Sequence, residues 1–225
     1  MATSFQCLQD EIVGCEKCPN LRRYGQEIAI AKRKAYAEWD YWGRPVPNFG
    51  PARSRLVIVG LAPGAHGAHR TGRMFTGDRS GDWLYAALYR QGFASQPDSY
   101  AIDDGLKLKN CLITAVNHCA PPDNKPTRDE QLNCQPYLER LLRFAPRDVI
   151  VCLGKIAWDG AFRAFRALGW WEASRPAFGH GAEVELQQGR ICLGCYHPSQ
   201  QNTFTGKLTE SMLDQVFARA RSRLG

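Results

Sequence analysis

No stretch of this chain carries the roughly 20 consecutive apolar residues that a bilayer-spanning helix requires. The opening residues Ser4-Phe5-Gln6-Cys7-Leu8-Gln9-Asp10 offer neither the basic n-region nor the apolar h-region of a secretory signal. A cytoplasmic location, with no membrane partner, is therefore the expectation. Internal repeats and low-complexity tracts are missing too, which sets repeat architectures aside. Nucleotide-cofactor signatures are likewise absent. The glycine-rich stretch from Gly60 to Asp78 lacks the Walker Gly-Lys-Ser/Thr ending and the Gly-x-Gly-x-x-Gly spacing. Nine cysteines cannot all pair, because nine is odd, and a reducing compartment disfavours disulfides in any case.

What is present is an ordinary globular composition, 44% hydrophobic and 23% charged, over 225 residues. That length suits one well-packed domain, or a domain with an extension. Lys plus Arg number 29 against 22 Asp plus Glu, a net charge of +7 that favours a polyanionic partner, nucleic acid first among them.

Residues 4–14 predict a short helix ending near Gly14, and residues 20–39 a second helical stretch. Residues 40–54, with Gly43, Pro45, Pro47, Gly50 and Pro51, read as the loop that borders the main sheet. Four near-continuous apolar runs follow, at 56–59, 111–116, 149–153 and 191–196. Runs of that kind suit strands buried on both faces of a parallel sheet. Val184-Glu185-Leu186 adds an antiparallel edge. Amphipathic patterns at 82–91, 127–144, 155–168 and 207–223 lie between and after them, and Thr127-Arg128-Asp129-Glu130 has the form of a capping box. The alternation predicts an α/β fold of three layers, αβα.

In open parallel sheets, ligands bind beyond the carboxyl ends of the strands. Three strand exits here combine Gly or Pro with polar residues: the loop from Gly60 to Asp78, the loop Asn117 to Pro126, and His197-Pro198-Ser199-Gln200-Gln201-Asn202-Thr203. A merely connecting loop needs the Gly and Pro but not the His, Asn and Asp.

Cys15 and Cys18 form a Cys-x2-Cys pair, while Cys119 and Cys134 lie far along the chain with fourteen residues between them. Such a pair grips one side of a metal site, and two more thiolates must come from elsewhere. Spacing alone leaves zinc and iron–sulfur open. Cys192 and Cys195 are also spaced Cys-x2-Cys, but inside a predicted strand, where a separation of three sends the side chains to opposite faces. They read as core, as do Cys7, Cys111 and Cys152.

The segments GLAPGAHGAHRTGRMFTGD (Gly60 to Asp78) and HPSQQNTFTGKLT (His197 to Thr209) resemble the uracil-DNA glycosylase superfamily, and most closely its family 5, the UDGb type. The likeness runs from Cys15 to about Thr209. Family 4 has an acidic residue directly after the first glycine, and here that position is Leu61. Met74 stands where such enzymes have Pro. The resemblance implies a central four-stranded parallel sheet flanked by helices. It implies a single glycosylase domain over 1–225, in which residues 1–50 form a helical extension contributing cluster ligands. It also implies hydrolysis of the N-glycosidic bond of a base extruded from the stack, as in base excision repair. The expected partner is DNA carrying uracil or related damaged bases, and the chain is expected to act as a monomer.

Carried onto this sequence, the resemblance makes Phe75 the stacking partner of the base, the alternative being a core Phe. His197 hydrogen-bonds the base and stabilises its developing charge, the alternative being a loop-ordering histidine. Gly60 and Ala62 line the first motif, where Ala62 stands in place of a water-positioning Asp or Asn. Asp78 is the carboxylate offered instead, the alternative being an N-cap. Asn124 is a second polar candidate, or else a turn residue. Ala115 stands where family 4 has an Asn reading the base edge, which implies a broader base range, hypoxanthine included. Gln200, Gln201 and Asn202 would enter the minor groove; with no apolar wedge expected in this loop, hydrogen bonds would fill the gap. Arg70, Arg73 and Lys207 are candidate phosphate contacts. Cys15, Cys18, Cys119 and Cys134 would bind a [4Fe–4S] cluster in a structural role. Two other classes stay open on sequence grounds: a damage-binding protein with little or no catalysis, and a redox protein built on a metal cluster.

Overall fold

The computed structural model describes residues 4–144 and 146–225. Helices α1 (Phe5–Val13) and α2 (Pro19–Ala31) lead, followed by β1 (Leu56–Gly60), α3 (Ala68–Thr71), α4 (Arg79–Arg90) and β2 (Cys111–Ala115). Then come α5 (Arg128–Arg143), β3 (Val149–Leu153), α6 (Lys155–Ala167), β4 (Glu183–Glu185), β5 (Ile191–Cys195), α7 (Gln200–Phe204) and α8 (Glu210–Ser222). The five strands form one sheet in the order β2-β1-β3-β5-β4. Four are parallel, and β4 pairs antiparallel with β5 at the edge. This is the expected α/β sandwich with its antiparallel border.

Alternation along the strands builds the two cores. Leu56, Ile58, Ile113, Val149, Val151 and Leu193 point to the side covered by α4 and α8. Val57, Val59, Leu112, Ile150 and Cys152 point to the side covered by α1, α5 and α6. Cys195 joins the first core and Cys192 the second, so their separation of three does place them on opposite faces. Cys111 and Cys152 are fully buried, as expected. Cys7 is not: it is half-exposed on α1, its thiol 3.4 Å from Glu11 Oε1. Helix periodicity turns Leu8 and Ile12 inward and leaves Cys7 on the flank.

Two expected boundaries move. The second helix stops at Ala31 because Lys32 takes a left-handed φ of 49° and a separate 3-10 turn covers Lys34–Tyr36. The helix expected over 82–91 begins at Arg79, since Asp78 caps it. The Thr127 capping box forms on both sides, with Thr127 capping Glu130 N and the Glu130 side chain reaching back to Thr127 N.

The segment before β1 is not slack. Phe49 exchanges two backbone hydrogen bonds with Ile113 (2.9 and 2.7 Å), covering the β2 edge. At Gly50, φ is 123° and a Cβ would strike the Cys111 carbonyl. Glycine alone allows that approach.

Candidate active site

β1 lies between β2 and β3, so connections leave it in opposite directions and open a crevice at the carboxyl ends of the strands. Gly60 ends β1 and stands in register with Ala115 at the end of β2. A Cβ on Gly60 would lie 2.8 Å from Phe75 Cε2, so the aromatic ring rests on the glycine backbone. Phe75 itself holds a left-handed φ of 53°, which costs a non-glycine residue on the order of 1–3 kcal/mol. The turn is held by its neighbours: Thr71 Oγ1 donates to Thr76 O (3.2 Å) and Arg70 Nη2 to Gly77 O (2.9 Å). Opposite, His197 follows β5, its ring centroid 5.8 Å from that of Phe75 at an interplanar angle of 31°.

Asp78 completes the group from the same loop. Its Oδ1 accepts from Gly81 N at 3.1 Å, the N-cap role. Its Oδ2 lies where a Cβ on Gly67 would fall, and 3.0 Å from where one on Gly64 would. One carboxylate therefore caps α4 and also packs on the glycine loop. Burial, outweighing the backbone N–H groups of Gly81 and Ser80, raises its pKa. Burial also pushes the His197 imidazole down to about 4, although the residue keeps some exposure to solvent. His197 is thus neutral at neutral pH, one ring nitrogen a donor and the other an acceptor.

Asn124 sits on the next strand exit, exposed, with φ 56° beside Asp123 at φ 52°. It lies on the loop after β2, in the 3-10 turn Pro122–Asn124. Ala62 is half-buried on the first loop, and Gln200 and Gln201 are exposed. Asn202 turns inward: its Nδ2 donates to His197 O at 2.8 Å, which steadies the strand exit that carries the histidine. The segment Gln200–Phe204 is a short helix capped by Ser199. Its last residue, Phe204, is 70% exposed. The sequence reading passed over it, because a lone Phe in a polar run gives no periodic signal.

Arg70 and Arg73 are not phosphate contacts. Both are buried at 3% exposure. Arg70 lies between the rings of Tyr36 (3.9 Å) and Trp39 (4.1 Å) and donates to His66 O. Arg73 pairs with Asp104 through Nη1 and Oδ1 at 2.8 Å and bonds Ser99 and Thr76. Tyr41 Oη meets His66 Nδ1 at 3.0 Å, and His69 Nε2 reaches Gly25 O at 3.0 Å. Much of the polar content of the first motif therefore binds it to the N-terminal segment. Lys207 remains exposed, its Nζ 5.0 Å from the Tyr196 ring centroid.

On the other side of the sheet, Cys119 and Cys134 are buried and Cys15 and Cys18 half-buried. Burial first, and then neighbouring thiols of this same group, push Cys119 and Cys134 up to about 12. Asn133 Nδ2 donates to Cys18 Sγ at 3.5 Å. The four sulfurs lie within electrostatic reach of one another. Among the described residues, however, no three His, Cys, Asp or Glu side chains are drawn together tightly enough for a single metal ion.

The model of the uracil DNA glycosylase superfamily matches residues 47–221. The chain belongs to that superfamily. The similar proteins within it include several Type-5 enzymes. A Type-5 uracil-DNA glycosylase of Mycobacterium bovis is 52% identical over 94% of this chain and 78% of its own. One of Mycobacterium leprae is 49% identical over 100% and 97%, and one of Thermus thermophilus 42% over 95% of each. The uracil-DNA glycosylase match spans all the strand exits described here. A surface depression lined by Leu142, Arg143, Pro146 and Trp170 lies at the opposite, amino-terminal end of the strands, away from Phe75 and His197.

Proposed function

We propose that this chain is a monofunctional DNA glycosylase that hydrolyses the N-glycosidic bond of uracil, and of other deaminated or modified bases, in DNA. Its relatives' names carry the uracil part of this reading. The observation that carries it at the site is the juxtaposition of Phe75 and His197, their ring centroids 5.8 Å apart, with Asp78 on the same loop as Phe75.

An extruded base stacks on Phe75. His197, neutral because burial holds its pKa near 4, donates a hydrogen bond to the base carbonyl. As the C1′–N bond lengthens, the electron pair stays on the base, and that hydrogen bond strengthens with the growing charge. Asp78, a stronger base than an ordinary Asp because burial raises its pKa, orients a water toward C1′ and takes its proton. Asn124, on the adjoining loop, helps hold that water. Ala115, in register with Gly60, brings no amide to the base edge. Without a donor–acceptor pair to enforce uracil, hypoxanthine is also accepted.

Cys15, Cys18, Cys119 and Cys134 are proposed to hold a [4Fe–4S] cluster. Thiols gathered in a partly buried site are unfavourable as thiolates unless a cationic group is added. When bound, that group supplies cross-links between the N-terminal extension, the β2 loop and α5.

Single-turnover release of uracil, hypoxanthine and thymine from duplex oligonucleotides tests the reading. Uracil and hypoxanthine should be released, and His197→Ala should lower the uracil rate roughly 10²- to 10³-fold. Strict uracil specificity removes the claim of breadth. A protein that only binds damage releases no base at all.

A further inference from the structure

We infer that His180 is a positioning residue for His197: it holds the backbone of the strand exit on which His197 stands. The inference rests on the glycosylase reading above, in which His197 donates to the departing base. His180 Nδ1 accepts from Tyr196 N at 3.1 Å, one residue before His197. Asn202 Nδ2 donates to His197 O at 2.8 Å, and Gly154 N donates to Cys195 O at 2.8 Å. Three successive residues of the exit are thus pinned from three sides.

The sheet edge explains why a side chain is needed at Tyr196. β4 runs antiparallel to β5 with Glu183 opposite Leu193. Gly194 N still finds a backbone acceptor on that side, Ala182 O at 2.8 Å. N–H groups facing one edge recur every second residue, so Tyr196 N faces the same edge. Continuing the register would set residue 180 opposite it, but the chain has left the strand course by Gly181, where φ is 75°. The His180 imidazole stands in for the missing carbonyl, and the amide is not left unpaired.

The support is itself held. Gly181 N donates to Gly194 O at 2.8 Å, Arg219 Nη1 to Gly181 O at 3.3 Å and Trp158 Nε1 to Pro176 O at 3.0 Å. The His180 ring centroid lies 5.1 Å from that of Tyr196. Accepting at Nδ1 leaves the proton on Nε2, so the ring is neutral, and burial lowers its pKa in the same sense. A Cβ on Gly154 would lie 3.4 Å from His197 Cβ, so β3 closes in on the other side of the exit. Without His180, the exit is free to move toward β4 and carry His197 with it. A displacement of about 1 Å in a group that acts on the reacting atoms costs up to about 10²-fold in rate.

The test uses the full-length protein and a uracil duplex. His180→Ala should lower kcat roughly 10- to 100-fold with KM little changed. His180→Asn should restore most of it, because its Oδ1 can accept where Nδ1 does. In a His197→Ala background, His180→Ala should bring no further loss of kcat, while its effect on the melting temperature stays the same, since residues that act through one another are not additive. The imidazole nitrogen signals of His197 in an NMR spectrum should move in His180→Ala and return in His180→Asn. An equal loss of kcat with and without His197, or unmoved His197 signals, overturns the inference. If the wild type releases no base, the glycosylase reading fails, and the His197 signals still decide what His180 does.

Discussion

At the scale of single residues, the glycines of the first motif act as space reserved for other side chains. Gly67 has no room for a Cβ because Asp78 Oδ2 occupies it. Gly67→Ala should therefore displace the carboxylate. Excision should fall roughly 10²-fold, the lower end of what a positioned base contributes. Stability should fall only by about 1 kcal/mol, the usual worth of a cap. A thermal melt and a single-turnover assay on one preparation separate the two effects. Asp104 makes a different point. Its partial burial would raise its pKa, but Arg73 and the backbone N–H groups of Leu106, Tyr100 and Ala101 hold it down at about 2. A depressed carboxylate stabilises the fold above its unfolded pKa near 4, and that support drains away as pH falls toward 2. Asp104→Asn should flatten the melting temperature against pH across that window. At neutral pH it should cost about 3–5 kcal/mol, because Arg73 is left buried without its partner.

At the scale of elements, the segment between α2 and β1 clamps the loop that carries Phe75. Tyr36 and Trp39 hold Arg70, and Arg70 in turn holds Gly77 O, two residues from Phe75. Trp39→Ala should remove about 1–2 kcal/mol of desolvated cation–π support. Amide exchange across residues 61–77 should then speed up, and kcat/KM should drop, with little change in the protection of β3 and β5. Uniform loss of protection would instead mark a global destabilisation. This clamp also shows what the sequence could and could not display. The strands were legible because each is a short, unbroken apolar run, and α5 because Thr127 and Glu130 announce its start. The strand exits stood out because polar residues there are otherwise wasteful, and the resemblance of the two motifs singled out Phe75, Asp78 and His197 among them. The partners of Arg70 were not. Tyr36 and Trp39 lie in a segment that reads as the tail of a helix, and nothing in a linear string reports that two rings close on a guanidinium thirty-odd residues later.

At the scale of the whole molecule, the sheet divides the labour. Phe75 lies at its carboxyl edge toward α4 and α8, and Cys15 and Cys134 lie on the face toward α1 and α5. Replacing Cys15 with Ser should cut the iron bound per chain and lower the melting temperature by several degrees, because the N-terminal extension loses a cross-link. Residual excision at low temperature should survive, since no cysteine of this group reaches Phe75 or His197. Full retention of iron would remove Cys15 from the ligand set. No helix among the described residues is long and apolar enough to cross a membrane.

The order of the strands carries a consequence for synthesis. Phe75 and Asp78 leave the ribosome early, but His197 arrives only after β5, the last strand, which docks on β3 and brings β4 with it as a hairpin. On the proposed reading, until then the growing polypeptide has one wall of the cleft and no donor for the departing base. A product that stops short of β5 should therefore leave DNA untouched. The hazard of stray abasic sites would begin only once His197 has been made.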